Sequence, residues 1–252
     1  MSTASKTKTI GWDLPDNWES GKQIAVQCWQ CGRKLKQNEH LVAIFKRVTC
    51  DPCIDSYNLQ VEQEQDVQDE EVANVIPPLY RSTELAKLPF PEQVEDITFW
   101  RYSEGAKGLW ITGDSRVGKT RSLCLLLERL IREKVTIRAF FHGSFADELL
   151  EVIRSDRNFR RWKREVAAEP LVVIDDLFAE KLTERTESGL FELLDERIAH
   201  LRPTLITTQV TKKEAKQRFH SEKRCDAFFS RIAEFFSLVR LGDPQAKIFA
   251  GD

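Results

Sequence analysis

Residues 113–120 read Gly-Asp-Ser-Arg-Val-Gly-Lys-Thr, a G-x-x-x-x-G-K-[ST] loop. Few eight-residue stretches constrain a fold as tightly. Such a loop works only where a buried strand delivers it and a helix leaves it, so that backbone N–H groups and the positive helix end converge on one anion. Both flanks are present. Leu109-Trp110-Ile111-Thr112 reads as a buried strand, and the run from Thr120 to Leu130 reads as an amphipathic helix. Gly113 and Gly118 let the chain curl, Lys119 reaches phosphate oxygens, and Thr120 supplies a hydroxyl for Mg²⁺. Asp114, Ser115, Arg116, Val117 and Arg121 complete the cradle. The expected ligand is ATP with Mg²⁺.

A second site lies near the amino terminus. Cys28-Trp-Gln-Cys31 and Cys50-Asp-Pro-Cys53 form a C-x₂-C…C-x₂-C pair separated by eighteen residues. That spacing falls in the zinc-ribbon range, and four thiolates close a tetrahedral Zn²⁺ shell with no position left for water. A structural zinc is expected. Two disulfides would suit a secreted chain, but Met1–Ile10 is rich in Ser, Thr and Lys and carries no apolar signal segment. A redox C-x-x-C would stand alone beside a βαβ unit. Cys124 and Cys225 sit in apolar helical contexts and read as buried thiols.

The 252 residues suffice for one α/β domain and a small satellite, with 41% hydrophobic residues for a core. A net charge of −2 excludes a uniformly basic nucleic-acid coat but allows a local basic groove. No run of eighteen apolar residues exists, so no membrane partner is expected. Thiolates with an ATP site place the chain in the cytoplasm.

Along the chain, residues 1–60 are expected to form the zinc-ribbon domain. Trp12 and Trp18 are its early anchors, and Leu41–Phe45 its strand between the knuckles. Its basic residues Arg33, Lys34, Lys36, Lys46 and Arg47 lie near Trp29 and Phe45. They read either as a solvated surface over a small aromatic core or as a grip on single-stranded nucleic acid. Glu62, Glu64, Asp66, Asp69, Glu70 and Glu71 make 61–75 an acidic linker, and Ile76-Pro77-Pro78 opens the second domain, 76–252. There the pattern alternates. Strands are expected at 135–141, 171–174, 203–208 and 235–241, with helices after Ser144, read as a cap, and over Thr186–His200. Alternation of this kind predicts a mainly parallel sheet covered on both faces.

The strand Leu171-Val-Val-Ile ends in Asp175-Asp176. Side chains alternate along a strand, so the two carboxylates take different roles. Asp175 is expected on the Mg²⁺ side with Thr120, and Asp176 as general base for the attacking water. Gln209, closing Ile206-Thr-Thr-Gln209, is placed to orient that water. Arg231, in Phe228-Phe-Ser-Arg231-Ile, reads as lying at an exposed helix start, from which it can serve a neighbouring subunit.

From Ile76 to Leu241 the chain resembles the AAA+ domain of helicase loaders of the DnaC/DnaI type and of the related IstB-type transposition ATPases. The residues carrying the resemblance are Ile76-Pro-Pro-Leu-Tyr-Arg, the phosphate loop, Val172-Val-Ile-Asp-Asp-Leu, Asp195-Glu-Arg197, Pro203-Thr-Leu-Ile-Thr-Thr-Gln and Ser230-Arg231-Ile. The resemblance implies an AAA+ P-loop fold without a C-terminal lid. It makes Asp175 and Asp176 the Walker B acids, Gln209 the sensor-1 residue and Arg231 an arginine finger. It departs at Arg116, where the family often has glycine, and at Gln209, where asparagine is more usual. The expected function is ATP-dependent helicase loading. The ATPase domains assemble on single-stranded DNA, and the zinc domain engages a replicative helicase. A transposition helper and a nucleotide-binding adaptor without turnover are the rival readings.

Overall fold

The computed structural model describes residues 21–38, 42–43, 47–154, 156–179 and 181–242. Trp12, Trp18, Phe45, Lys46 and the stretch after 242, on which the expectation about a lid falls, lie outside them. The chain divides into two compact units between Val67 and Gln68.

In the first unit β1 (Gln23–Gln27) pairs antiparallel with β2 (Lys34–Asn38), Gln27 facing Lys34 and Gln23 facing Asn38. The hairpin turn is the first cysteine knuckle, with the Gly32 N–H donating to the Cys28 carbonyl at 2.8 Å. Of the strand expected at Leu41–Phe45, Val42 and Ala43 are helical and the remaining three residues lie outside the described set.

Helix α1 runs Asp51–Val75 through the boundary between the units. The stretch 61–75, expected as a linker, is therefore helical. Glutamate, glutamine and valine are adequate helix formers, and no Gly or Pro interrupts them. Its acids also have partners. Asp69 accepts from Arg132 at 3.0 Å, and Val72 and Ile76 are buried in the second unit's core.

The second unit is a five-stranded parallel sheet. Its strands are β3 (Gly108–Gly113), β4 (Ile137–Phe140), β5 (Leu171–Ile174), β6 (Thr204–Thr208) and β7 (Phe236–Leu241), in the spatial order β4-β5-β6-β3-β7. Both faces are covered, and the two-residue strand period sorts the side chains between them. Trp110, Val172, Ile174 and Ile206 point into one core. Leu109, Ile111, Leu171, Val173 and Leu205 point into the other. The second face carries α2 (Pro91–Thr98) and α3 (Lys119–Arg132), which bury Val94, Ile97, Leu123, Leu126, Leu127 and Leu130.

The first face carries α4 (Ser144–Ile153), α5 (Asp156–Ala168), α6 (Glu184–Ala199) and α8 (Glu222–Phe235). A short α7 (Lys212–Arg218) precedes α8. Cys124 and Cys225 are buried, one in each core, as expected. Ser144 does not cap α4. Gly143, at φ +79°, occupies the cap position with no side-chain bond, and Ser144 is the first helical residue.

Two helices on the first face are tied to the sheet by one fully buried cation. Arg197 donates to Thr204 Oγ1 (2.9 Å) and to the carbonyls of Val166 (3.1 Å), Glu169 (2.8 Å) and Pro203 (2.5 Å). Burial lowers its pKa to about 10, well within the charged range at neutral pH. An Arg197→Met chain keeps the volume but leaves those buried acceptors without a donor, at about 1–3 kcal/mol each. Urea unfolding should show a loss of at least about 3 kcal/mol. A loss below about 1 kcal/mol would mean that water replaces the guanidinium.

Candidate functional site

The phosphate loop leaves β3 and enters α3 with the backbone geometry its glycines require. Gly113 has φ +150°, and a Cβ there would sit 2.2 Å from the Leu241 carbonyl oxygen; Gly118 has φ +97°. Arg116 takes the left-handed region at φ +66°. That explains glycine at this position in the resembling family. An L-residue pays about 1–2 kcal/mol for the same turn.

Lys119 is nearly buried, and desolvation lowers its pKa. Its ammonium donates to the carbonyls of Gly113 (2.9 Å) and Asp114 (2.7 Å). Among the described residues it forms no ion pair, and the loop carbonyls and the nearby carboxylates Asp176, Asp175 and Asp114 favour its charge. This chemistry fits a polyanion.

Opposite it, Asp175 ends β5 with 3% exposure, and burial raises its pKa. Thr120 Oγ1 donates to its carboxylate (3.0 and 3.2 Å to the two oxygens), and Thr207 Oγ1 donates to Oδ1 at 2.7 Å. A buried carboxylate beside a loop hydroxyl fits a Mg²⁺ shell. Asp176 faces a different way. Its φ is +57°, its N–H donates to Thr207 Oγ1 at 2.7 Å, and the Leu177 N–H donates to the Thr207 carbonyl at 2.8 Å. The two neighbouring acids thus occupy distinct environments, separated by the left-handed turn at Asp176 just past β5 rather than by alternation along the strand.

A cavity of about 370 Å³ opens beside these groups; Asp175 is not in its lining but bonds to Thr120 and Thr207, which are. Ser115, Arg116, Gly118, Lys119, Thr120, Arg121, Asp176, Thr207 and Gln209 line it, with Leu79 and Tyr80. Gln209 is exposed just beyond β6. Gly113, Asp114 and Val117 shape the loop but do not form this wall. Sequence reasoning quoted Thr207 and Tyr80 without giving either a task. Thr207's signal is a hydroxyl at the carboxyl end of an apolar strand. Tyr80 follows the Pro77-Pro78 stop, stacks on His142 (5.8 Å between centroids), and has the Arg121 guanidinium 5.6 Å over its ring.

Arg231 is not brought to this cavity and does not begin a helix. It lies in the last third of α8, fixed by Phe228 and Phe229, whose rings each meet Trp110 of β3 at 5.8 Å. The helix starts earlier because Ser221 caps it, accepting from the Arg224 N–H at 3.2 Å. The Arg231 guanidinium makes a two-pronged pair with the Asp195 carboxylate, Nη2–Oδ2 at 3.1 Å, and lies 5.4 Å over Phe191.

In the first unit the thiol sulfurs of Cys28, Cys31, Cys50 and Cys53 all lie within 4.8 Å of one another. Backbone N–H groups of Cys31 and Cys50 lower the Cys28 thiol to about 6, favouring its thiolate. Cys50 stands just before α1 and Cys53 in its first turn, so the second knuckle is a helix start. Four convergent sulfurs fit a tetrahedral thiophilic ion. Among the described residues no helix is long and apolar enough to cross a membrane.

Residues 79–244 match the family model described as IstB-like ATP binding protein. No curated protein matches the sequence. Among solved structures, DnaI is 16% identical over 68% of this chain and 94% of its own (TM-score 0.52). The DnaC helicase loader is 21% identical over 66% and 100% (TM-score 0.52). The replication initiator DnaA bound to AMPPCP and single-stranded DNA is 16% identical over 66% of this chain and 51% of its own (TM-score 0.52). At these identities the likeness establishes a shared fold, the AAA+ P-loop domain.

Proposed function

The chain belongs to the IstB-like ATP binding proteins, and from that premise we propose that it hydrolyses ATP to load a replicative helicase onto single-stranded DNA. The observation that carries the enzymatic part is one cavity lined by Lys119, Thr120, Asp176 and Thr207, with Asp175 bonded to Thr120 and Thr207 behind that lining. In this reading Lys119 neutralises the β/γ-phosphates. Thr120 and Asp175 hold Mg²⁺, which supplies charge stabilisation at the phosphoryl oxygens. Asp176 takes the proton of the attacking water, Gln209 orients that water, and Arg231 serves a neighbouring subunit's site. Its pairing with Asp195, away from its own chain's cavity, suits a role in trans.

The loader assignment draws on the likeness to DnaI and DnaC. Single-stranded DNA as ligand draws on α5, where Arg157, Arg160, Arg161 and Arg164 are exposed at helical spacing. Only Arg161 is paired there, with Glu165 at 2.8 Å, among the described residues. A zinc-ribbon domain over 1–60, holding Zn²⁺ on its four cysteines, would engage the helicase, and the ATPase domain over 76–252 would self-assemble. The setting is the cytoplasm. A second reading follows from the family's own description: an IstB-like helper of a transposase. Capture of a transposase rather than a hexameric helicase by the purified chain would favour it.

Three outcomes are expected. Metal analysis should find one zinc per chain, and Cys28→Ser should unfold the first unit while leaving ATP binding intact; freshly purified protein without zinc would defeat this assignment. Lys119→Ala should abolish nucleotide binding, whereas Asp176→Asn should keep it and lower turnover by roughly 10²-fold or more. Normal turnover in Asp176→Asn would remove it as the base.

The third outcome concerns assembly. The rate per chain should rise with protein concentration and with single-stranded DNA. Arg231→Ala should bind ATP but not turn it over, since such residues contribute about 10³–10⁵ in rate. Mixing Arg231→Ala with Lys119→Ala chains should restore some activity. A concentration-independent rate unchanged by Arg231→Ala would leave Arg231 as a helix-tethering residue.

A further inference from the structure

The zinc-binding reading leaves one group in the first unit without a task. Trp29, between the two sulfurs of the first knuckle, is 59% exposed. Its indole is nevertheless fixed. The ring N–H donates to Thr49 Oγ1 at 3.0 Å, and its backbone N–H donates to the Val48 carbonyl at 3.0 Å. The Arg47 guanidinium lies 5.1 Å from the ring centroid. An indole pinned at its edge and bare over more than half its surface contributes little to a core, yet it is held in one orientation.

The surroundings are basic. Residues 21–50 hold Lys22, Arg33, Lys34, Lys36, Lys46 and Arg47 against Glu39 alone, in a chain whose net charge is −2. Lys34 and Lys36 are two apart on β2, so both project from one face of the hairpin, and both are exposed. Arg33, Lys34, Lys36 and Arg47 form no ion pair among the described residues. A tetrathiolate zinc would carry two negative charges and call for basic neighbours. It does not account for the bare indole, or for Arg47 resting on that ring.

We propose that this face of the first unit binds single-stranded nucleic acid, with Trp29 as the platform for one base and Arg47, Lys34 and Lys36 on the flanking phosphates. A flat aromatic face beside unpaired cations is the chemistry that holds a single strand without reading its sequence. It goes beyond the helicase contact proposed for this domain and does not need ATP.

The experiment uses the full chain carrying Lys119→Ala, without nucleotide, where ATP-gated DNA binding is silent. The probe is fluorescein-labelled oligothymidylate, followed by anisotropy over a salt series. Trp29→Ala should weaken binding by about fivefold to a hundredfold, the range for one lost base stack, and Trp29→Phe should recover most of it. Lys34→Gln and Lys36→Gln together should reduce the slope of log affinity against log salt by about 0.7 for each lost contact. One zinc per chain in every variant shows that the unit still folds. Oligonucleotide affinity unchanged in Trp29→Ala with its zinc retained overturns the proposal. So does a Trp29→Ala chain that loses only capture of a helicase, which would make the face a protein contact.

Discussion

The second unit's site depends on one buried carboxylate and the hydroxyls that bind it. Asp175 is nearly buried at the end of β5, and desolvation alone would push it toward the neutral acid. Two hydroxyls oppose that push, Thr120 from the phosphate loop and Thr207 from β6. Each arrives from a different element, so the bonds that oppose the effect of burial also lock three elements in register. Thr207 acts twice, since its oxygen accepts the Asp176 N–H and holds that residue at positive φ. Strain of this kind persists only where surrounding bonds over-determine it.

Strand order makes this possible. In the sequence Thr207 of β6 comes 32 residues after Asp175; in space β6 lies between β3 and β5. The phosphate loop and the two acids are therefore not on adjacent strands. The strand inserted between them brings its own polar end, Thr207 and Gln209, into the gap. A parallel sheet gathers the carboxyl ends of its strands on one edge, and ligands bind there, where helices begin. The same logic fixes α8. Phe228 and Phe229 pack on Trp110, the middle of the strand that delivers the loop, so α8, and Arg231 with it, has a defined position relative to that strand although Arg231 does not line the cavity.

Much of this was legible in the residues. The loop, its flanking strand and helix, the paired acids and the parallel sheet follow from periodicity and from a motif whose chemistry allows few alternatives. Strand ends differed by one or two residues: at β4 Val135 and Phe141 extend the apolar run beyond the ladder, and at β6 the strand begins after Pro203, which has no N–H to give. Less visible were groups whose role depends on who lies opposite. Thr207 is one hydroxyl among several in Thr204–Thr208, and only the inserted strand order selects it. Arg231 seemed to begin a helix because the cap at Ser221 is weak in sequence, with a cysteine and an aspartate between it and the apolar face. The stretch 61–75 looked like a charge block because its partners, Arg132 for Asp69 and the core for Val72, lie far along the chain.

The first unit obeys a different economy of forces. Its described residues bury only Cys28, Asn38 and Cys50, so a hydrophobic core cannot hold a two-stranded hairpin that is marginal alone. Four convergent sulfurs can, because binding of a thiophilic ion supplies the free energy that apolar area would otherwise supply. Freed from core duty, Trp29 can stay on the surface, and Arg33, Lys34, Lys36 and Arg47 form no ion pair among the described residues. The second unit has the opposite balance: a two-faced core, a fully buried arginine, and polar residues spent on orienting one carboxylate. The chain joins a unit organised around four convergent sulfurs to a unit organised by packing, with α1 as the covalent connection.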